Sequence, residues 1–313
     1  MILTLTLNPA IDKTVVIPNF SEGAVNRIES VRTDIGGKGI NVSKCLLVLG
    51  NISTAVAVWA GETGKRGKDY LIHSGFNSYS IELDEGETRT NLKIIDTEKN
   101  VNTDINEPGP TLDRRTFEGL MNTIDSMIKE DDILVLSGSL PKGLDSTAYR
   151  DMILFFKEKG VKTILDADGE SFVYGIEAIP YLVKPNIDEL CRYTKKELKT
   201  EEEIISAARE LVQKGIKEVV VSLGADGSLF VTADKVLKAE ALKVPVQSTV
   251  GAGDSMVAAL AHGLDCGVDE IKRLKLATAI SAASVMLSGT QPPELETVKK
   301  LYKEVTIKNV GSI

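Results

Sequence analysis

Ile133-Leu134-Val135-Leu136-Ser137-Gly138-Ser139-Leu140-Pro141 is the stretch that decides the fold. Four apolar residues run without a polar break, and small hydroxyl residues and glycine then take over at once. A short apolar run of this kind reads as a strand buried on both faces, which belongs in a sheet covered by helices. The flanks agree. The spacing predicts a helix over 116–129 before this strand and one over 146–159 after it. Strands 162–166 and 181–184 follow, then a helix near 186–193, a helix over 201–214 and strand 218–222. Further strands lead to Gly251-Ala252-Gly253, and helices are expected over 254–264, 270–288 and 294–303. Such alternation predicts a mostly parallel sheet with helices on its faces. Ligands of these sheets sit beyond the carboxyl ends of the strands, so the residues that follow strands are the first candidates for function.

Upstream, residues 2–7 read as a buried strand that Asn8-Pro9 interrupts and residues 11–17 continue. Gly36 to Gly39 leads into helical spacing over 40–49, which Gly50 ends. Strand 53–60 comes next, and after Gly61, Gly64 and Gly67 a helix is expected around 67–73. Between 76 and 106 the pattern changes to period two, as in 90–95 and 100–105, which predicts half-exposed strands. Together with 11–34 these segments predict a small sheet outside the main one. The fold class expected is α/β, one domain over 1–313, with the small sheet built from about 11–34 and 76–106.

The composition narrows the chemistry. Hydrophobic residues make up 42% of 313, enough for a sizeable core. Three scattered cysteines (Cys45, Cys191, Cys266) and two histidines (His73, His262) exclude a thiolate zinc site, a dithiol redox pair and a histidine cluster. A catalytic base is therefore expected to be a carboxylate. The net charge of -8 argues against nonspecific nucleic-acid binding. No run of about 18 uncharged apolar residues is present, so no membrane span is expected. The amino-terminal apolar run lacks a preceding basic segment and reads as a strand, which makes a cytoplasmic protein the expectation.

Six segments carry candidate chemistry. In Ser248-Thr249-Val250-Gly251-Ala252-Gly253-Asp254-Ser255, small residues open a helix and leave N–H groups able to meet an anion, with Asp254 beside them as a base; ordinary capping is the competing reading. Asp34-Ile35-Gly36-Gly37-Lys38-Gly39-Ile40-Asn41 sets Lys38 among three glycines. It matches neither a Walker A loop nor a G-x-G-x-x-G fingerprint, and a tight turn with a solvated lysine is the alternative. Asp12, after Asn8-Pro9, can accept hydrogen bonds from a polyol. Arg27 and Arg89 have forks suited to phosphate, or are ordinary surface arginines. Ser139 follows strand 133–136 as a ligand floor or a plain loop. In Lys184-Pro185-Asn186-Ile187-Asp188-Glu189, Asn186 and Glu189 share a helical face. They either order water around magnesium or form a capping box. Ser222-Leu223-Gly224-Ala225-Asp226-Gly227 is a nucleotide-side loop or a tight turn.

Taken in order from residue 8 to residue 255, these motifs resemble those of ribokinase-like sugar kinases of the PfkB group, in its phosphofructokinase and tagatose-phosphate kinase branch. The resemblance implies a three-layer sandwich with a β-sheet lid that in many members pairs with a second subunit. It implies Asp254 as the base that deprotonates a sugar hydroxyl, and Gly251, Ala252 and Gly253 as the anion hole. Asp12, Gly37, Lys38, Asn41 and Ser139 match substrate positions, with Arg27 and Arg89 as phosphate contacts. Lys184, Asn186, Ser222, Gly224 and Gly227 match the side that holds ATP, and Glu189 the residue that reaches Mg2+ through water. Gly86–Ile94 and Asn106–Pro110 are similar to the 1-phosphofructokinase subgroup. Fructose-1-phosphate is accordingly the first acceptor, with tagatose-6-phosphate or fructose-6-phosphate second. The other classes weighed are a nonenzymatic sugar-phosphate sensor and a dehydrogenase; the intact Asp254 segment speaks against the first and the missing dinucleotide fingerprint against the second.

Overall fold

The computed structural model describes residues 1–312. In chain order the elements are β1 (Ile2–Thr6), β2 (Ala10–Val16), β3 (Ser30–Gly36), α1 (Lys38–Val48), β4 (Thr54–Ala60), α2 (Gly61–Ile72), β5 (Asn77–Leu83), β6 (Arg89–Asp96) and β7 (Val101–Asn106). Then come α3 (Arg114–Met127), β8 (Ile133–Ser137), α4 (Ala148–Lys157), β9 (Lys162–Asp166), α5 (Gly169–Glu177), β10 (Leu182–Val183), α6 (Ile187–Thr194), α7 (Glu201–Gln213), β11 (Glu218–Ser222), β12 (Ser228–Val231) and β13 (Lys235–Ala239). The chain closes with α8 (Ala252–Asp265), α9 (Glu270–Val285), α10 (Leu295–Glu304) and β14 (Ile307–Ser312).

Ten strands form one sheet in the order β14-β13-β12-β11-β10-β9-β8-β1-β4-β5. From β5 to β11 every neighbouring pair is parallel; β12, β13 and β14 extend it antiparallel. Alternate residues of each strand feed opposite faces. Leu3, Leu5, Val56, Leu134, Leu136, Leu165 and Val221 pack with the helices α3 to α7. Ile2, Ile133, Val135, Ile164 and Val220 pack with α1, α8, α9 and α10. The result is the three-layer sandwich the alternation predicts. β1 continues to β4 on one side and lies beside β8 on the other, so the strand order reverses between β1 and β8. The crevice above that reversal is where α/β sheets bind ligands.

β2, β3, β6 and β7 make the second sheet, in the order β3-β2-β6-β7. It is mixed, since β2 and β6 run parallel. Its register puts Asp12 beside Asp34 and Asn91, and Asn91 beside Asn106; Thr14, Arg32, Lys93 and Asp104 fill the next row. One face is therefore polar. The other carries Val15, Ile17 and Ile94 in a small cluster of their own.

Three expectations change. β5, which the period-two reading put in the small sheet with the rest of 76–106, pairs with β4 at the edge of the large sheet, so this region's share of the small sheet begins at Arg89. α2 starts at Gly61, not near 67. Gly64 and Gly67 lie inside it because Trp59 packs against them: a Cβ at Gly67 would come within 2.3 Å of the indole. α5 and β14 were not foreseen. Gly169, Gly175 and Asp168 blurred the helical pattern of the first, and the second is a short edge strand.

Candidate active site

The site forms where α1 and α8 begin, side by side at the carboxyl edge of the large sheet. Both helices open on glycine with no side-chain cap. Gly37 has φ 116° and Gly251 φ 83°, backbone that an L side chain would strain. Gly39 sits tight on β1, since a Cβ there would lie 2.6 Å from the Leu5 carbonyl oxygen. The first-turn N–H groups of α8 have no intrahelical partner, and the helix dipole adds positive potential there.

Asp254 stands in that first turn, 6% exposed. Asn41 Nδ2 donates to its Oδ2 at 2.9 Å. Burial pushes the carboxyl up to about 6, against the pull of Lys38, with Asp166 adding to the rise. Around it the charges alternate. Lys38 Nζ lies 3.3 Å from Asp166 Oδ2, and Lys184 Nζ 3.2 Å from Asp166 Oδ1. The two ammonium groups thus share one buried carboxylate, each facing a different oxygen. Burial works against the Asp166 carboxylate, yet Lys184 and Lys38 hold it below its usual range. Burial likewise opposes the Lys38 ammonium, but Asp166 and Asp254 keep it charged and above its usual range. A Cβ on Gly253 would come 3.3 Å from Lys184 Nζ, which sets that ammonium against the start of α8.

A cavity of about 280 Å³ lies under the small sheet, lined by Asp12, Asp34, Asn91, Lys93 and Arg89 above and by Gly37, Lys38, Asn41, Gly251, Asp254 and Thr290 below. Its upper wall is the polar face of the small sheet. Asn91 Nδ2 donates to Asp12 Oδ1 at 2.9 Å, and burial raises the Asp12 carboxyl despite that bond. Several lining groups keep a buried polar atom without a partner: Asp34 Oδ2, Asn91 Oδ1, Arg89 Nε and Thr290 Oγ1. Buried polar atoms are normally paired; hydroxyl groups of a polyol could donate to Asp34 and Asn91, and an oxygen of a polyol or phosphate could accept from Arg89 Nε. Arg89 also borders a second, more open cavity of about 570 Å³ with Asn8, Ser139, Lys142 and Ser171. There its Nη2 donates to the Asn8 carbonyl at 3.0 Å, and Asn8 Nδ2 reaches Ser139 Oγ at 3.4 Å.

On the far side of Lys184, Asn186 and Glu189 form a complete capping box on α6. Asn186 Oδ1 accepts from the Glu189 N–H at 2.7 Å, and Glu189 Oε2 accepts from the Asn186 N–H at 2.9 Å. Burial raises the Glu189 carboxyl against that bond. Ser222 adjoins it, its N–H donating to the Pro185 carbonyl at 3.0 Å. Gly224 to Gly227 is the turn that joins β11 to β12. Gly227 has a packing reason, because a Cβ there would strike the Ala239 carbonyl at 2.0 Å, while Gly224 faces open space. Among the described residues no group of three or more His, Cys, Asp or Glu converges as a metal cage. A magnesium ion bound here would therefore have to bring most of its ligands with it, as phosphate oxygens and water, and Glu189 is the carboxylate that would hold such a water.

Of the residues singled out from sequence, Asp12, Gly37, Lys38, Asn41, Arg89, Gly251, Ala252, Gly253 and Asp254 gather around the first cavity and the start of α8. Ser139 borders the second. Arg27 does not join them: it is exposed in the loop between β2 and β3. Asp166 was missed, although it ends β9 and Asp166-Ala167-Asp168-Gly169 has the polar, glycine-bearing character that marked the other strand ends. Asp34 and Asn91 were passed over because only the strand register reveals that they share a face with Asp12.

Residues 5–298 match the pfkB family of carbohydrate kinases. The chain belongs to that family. It is 34% identical over 313 residues to 1-phosphofructokinase of Rhodobacter capsulatus, covering 100% of this chain and 99% of the relative. It is 35% identical to the 1-phosphofructokinase of Haemophilus influenzae, over 98% and 97% of the two chains. Among solved structures, phosphofructokinase-2 from Escherichia coli in complex with substrates and products superposes with a TM-score of 0.92, at 30% identity over 97% of this chain and 98% of that one. This PfkB chain is a carbohydrate kinase by family, and kinases of this kind take ATP as phosphoryl donor. No helix among its described residues is long and apolar enough to cross a membrane.

Proposed function

We propose that this kinase transfers the γ-phosphoryl group of Mg-ATP to fructose-1-phosphate, giving fructose-1,6-bisphosphate. The observation that carries the reading is the buried Asp254 carboxylate at the open start of α8, flanked by Lys38 and Lys184. Asp254 takes the proton of the acceptor hydroxyl as that oxygen attacks the γ-phosphorus and ADP departs. The N–H groups at Gly251, Ala252 and Gly253 meet the charge that develops on the transferred group, and Lys184 adds an ammonium beside them. Magnesium arriving with the nucleotide would neutralise phosphate charge; Glu189 would hold its water, and Asn186, Ser222, Gly224 and Gly227 would lie along the nucleotide. Asp12 and Asn91 orient the sugar hydroxyls, while Arg89, Lys38 and Ser139 receive the phosphate already on the sugar.

The likeness to phosphofructokinase-2 favours fructose-6-phosphate as the second reading. ADP release with fructose-1-phosphate, fructose-6-phosphate, tagatose-6-phosphate and unphosphorylated hexoses decides between them. Fructose-1-phosphate is expected to show the highest kcat/KM, and preference for another sugar reassigns the acceptor. ADP-free binding of all of them would leave only a sensor.

The small sheet is proposed as a lid over the cavity and as the contact surface of a homodimer. Its apolar face and adjoining loop expose Val25, Ile28, Val31, Val101 and Ile105, apolar side chains of the kind that a partner surface covers. In that assembly Arg27 lies on the shared surface, and a phosphate contact for it arises only across the interface. A monomer at micromolar concentration in analytical ultracentrifugation counts against the dimer.

A further inference from the structure

Lys44 is a buried cation that the reaction as described leaves unused. It lies on α1, 6% exposed. Its Nζ donates to the Ile35 carbonyl at the end of β3, lies 3.5 Å from Asn41 Oδ1, and stands 5.4 Å from the centre of the Tyr70 ring. The other end of the same amide, Asn41 Nδ2, donates to Asp254 Oδ2. An ammonium only donates and an ionised carboxylate only accepts, so the two charges select opposite ends of one amide. With Lys44 in place, Asn41 has one orientation. Packing alone does not explain the lysine. Burial draws it below its usual range even with Asp34 and Asp12 near, and an apolar side chain of similar length fills such space without that penalty.

We infer that Lys44 is a positioning residue: it fixes the Asn41 amide so that Asn41 donates to Asp254, and through the Ile35 carbonyl it ties this pair to the root of the small sheet. The inference rests on the reading of Asp254 as the base. A double-mutant cycle on the full-length chain tests it, with Lys44→Met, Asn41→Ala and the pair. Lys44→Met is expected to lower kcat about tenfold, with KM for ATP changed less than about twofold, and to add nothing in the Asn41→Ala background. Lys44→Arg, which keeps the donors, restores most of the loss. A wild-type kcat in Lys44→Met, or the same loss in the Asn41→Ala background, overturns the inference. If Lys44→Met does not fold, Lys44→Gln takes its place in the cycle.

A readout free of turnover separates this inference from the assigned reaction. With 15N-asparagine labelling, the Asn41 side-chain amide is identified by its disappearance in Asn41→Ala. Its proton pair is expected to stay well separated in the wild type and Lys44→Arg, and to collapse toward solvent-exposed values in Lys44→Met. An unchanged pair in Lys44→Met refutes the coupling whether or not any ketose phosphate is turned over. A wild type that turns over none of them refutes the assigned reaction instead.

Discussion

Helices α6 and α8 both carry an acid at their third position, and the site depends on how differently they begin. In α6 the third residue is Glu189 and the cap is Asn186, and the two side chains satisfy the helix start reciprocally. In α8 the third residue is Asp254 and the cap is Gly251, which offers no side chain. Asp254 is one methylene shorter than glutamate and turns away to Asn41. One start satisfies its own donors with side chains; the other directs the Ala252 N–H to the Thr249 carbonyl at 3.4 Å and caps the rest of its first turn with no side chain. A cap that is missing where a charge is also buried therefore marks function, whereas a completed cap accounts for its residues' hydrogen bonds, so that any further role must be argued from burial and charge.

The largest expected effect is on the open start. Asp254→Asn keeps the shape and removes the base, so turnover should fall about a thousandfold. Wild-type turnover would end the assignment. The pH profile sharpens it. A carboxyl pushed up to about 6 is the active base only when ionised, so kcat/KM should rise with pH through about 6 and then level off. Stability should move the other way. A folded-state value above the usual 3.8 means the native state binds this proton more tightly than the unfolded chain does. That contribution is full below about pH 4 and lost as pH rises through about 6. Asp254→Asn should therefore melt above the wild type at pH 8, with the gap closing near pH 4, as scanning calorimetry can follow.

Much of this contrast was legible in the sequence, and the reasons are local. Apolar runs such as Val219-Val220-Val221 and the glycine-flanked Asp254 announce themselves in a few residues. The capping box on α6 was also visible, as one of two readings, and the structure supplies the bonds for it without removing the other. What stayed hidden depends on pairing between distant segments. Asn77–Leu83 alternates as a half-exposed strand does, and nothing in it says that its partner is β4 and not β6. Asp34 and Asn91 acquire meaning only when the β3-β2-β6 register puts them beside Asp12. Asp166 looks like the end of any strand until Lys38 and Lys184, 128 residues before it and 18 after it in the chain, close on its two oxygens.

A middle-sized effect is expected at Gly253, which lies within the first turn of α8 in ordinary helical backbone. Alanine has the higher helix propensity, so Gly253→Ala should melt at or slightly above the wild-type temperature. Its methyl group would nevertheless stand 3.3 Å from Lys184 Nζ, in the space assigned to the transferred phosphoryl group. Turnover should fall by about tenfold or more while the fold is kept. A variant equally active and equally stable would mean that the open helix start is not where the phosphoryl group passes.

The smallest effect, and the sharpest test of the closed start, comes from Glu189. Glutamine can replace glutamate in a capping box, because its side-chain oxygen still accepts from the cap N–H. Glu189→Gln should therefore cost less than about 0.5 kcal/mol, whereas Glu189→Ala, which loses the bond to Asn186, should cost about 1 kcal/mol. If Glu189 only caps α6, the glutamine variant will also have wild-type kinetics at every magnesium concentration. If its buried carboxylate also holds magnesium water beside the nucleotide, the variant will need several times more magnesium to reach half-maximal velocity, with its melting temperature nearly unchanged. The second outcome is the one expected, because Glu189 is 7% exposed and faces Asp166, Lys184 and Lys38 across the site. A residue needed only as a cap would sit as well on the surface, as Glu203 does in the capping box of α7.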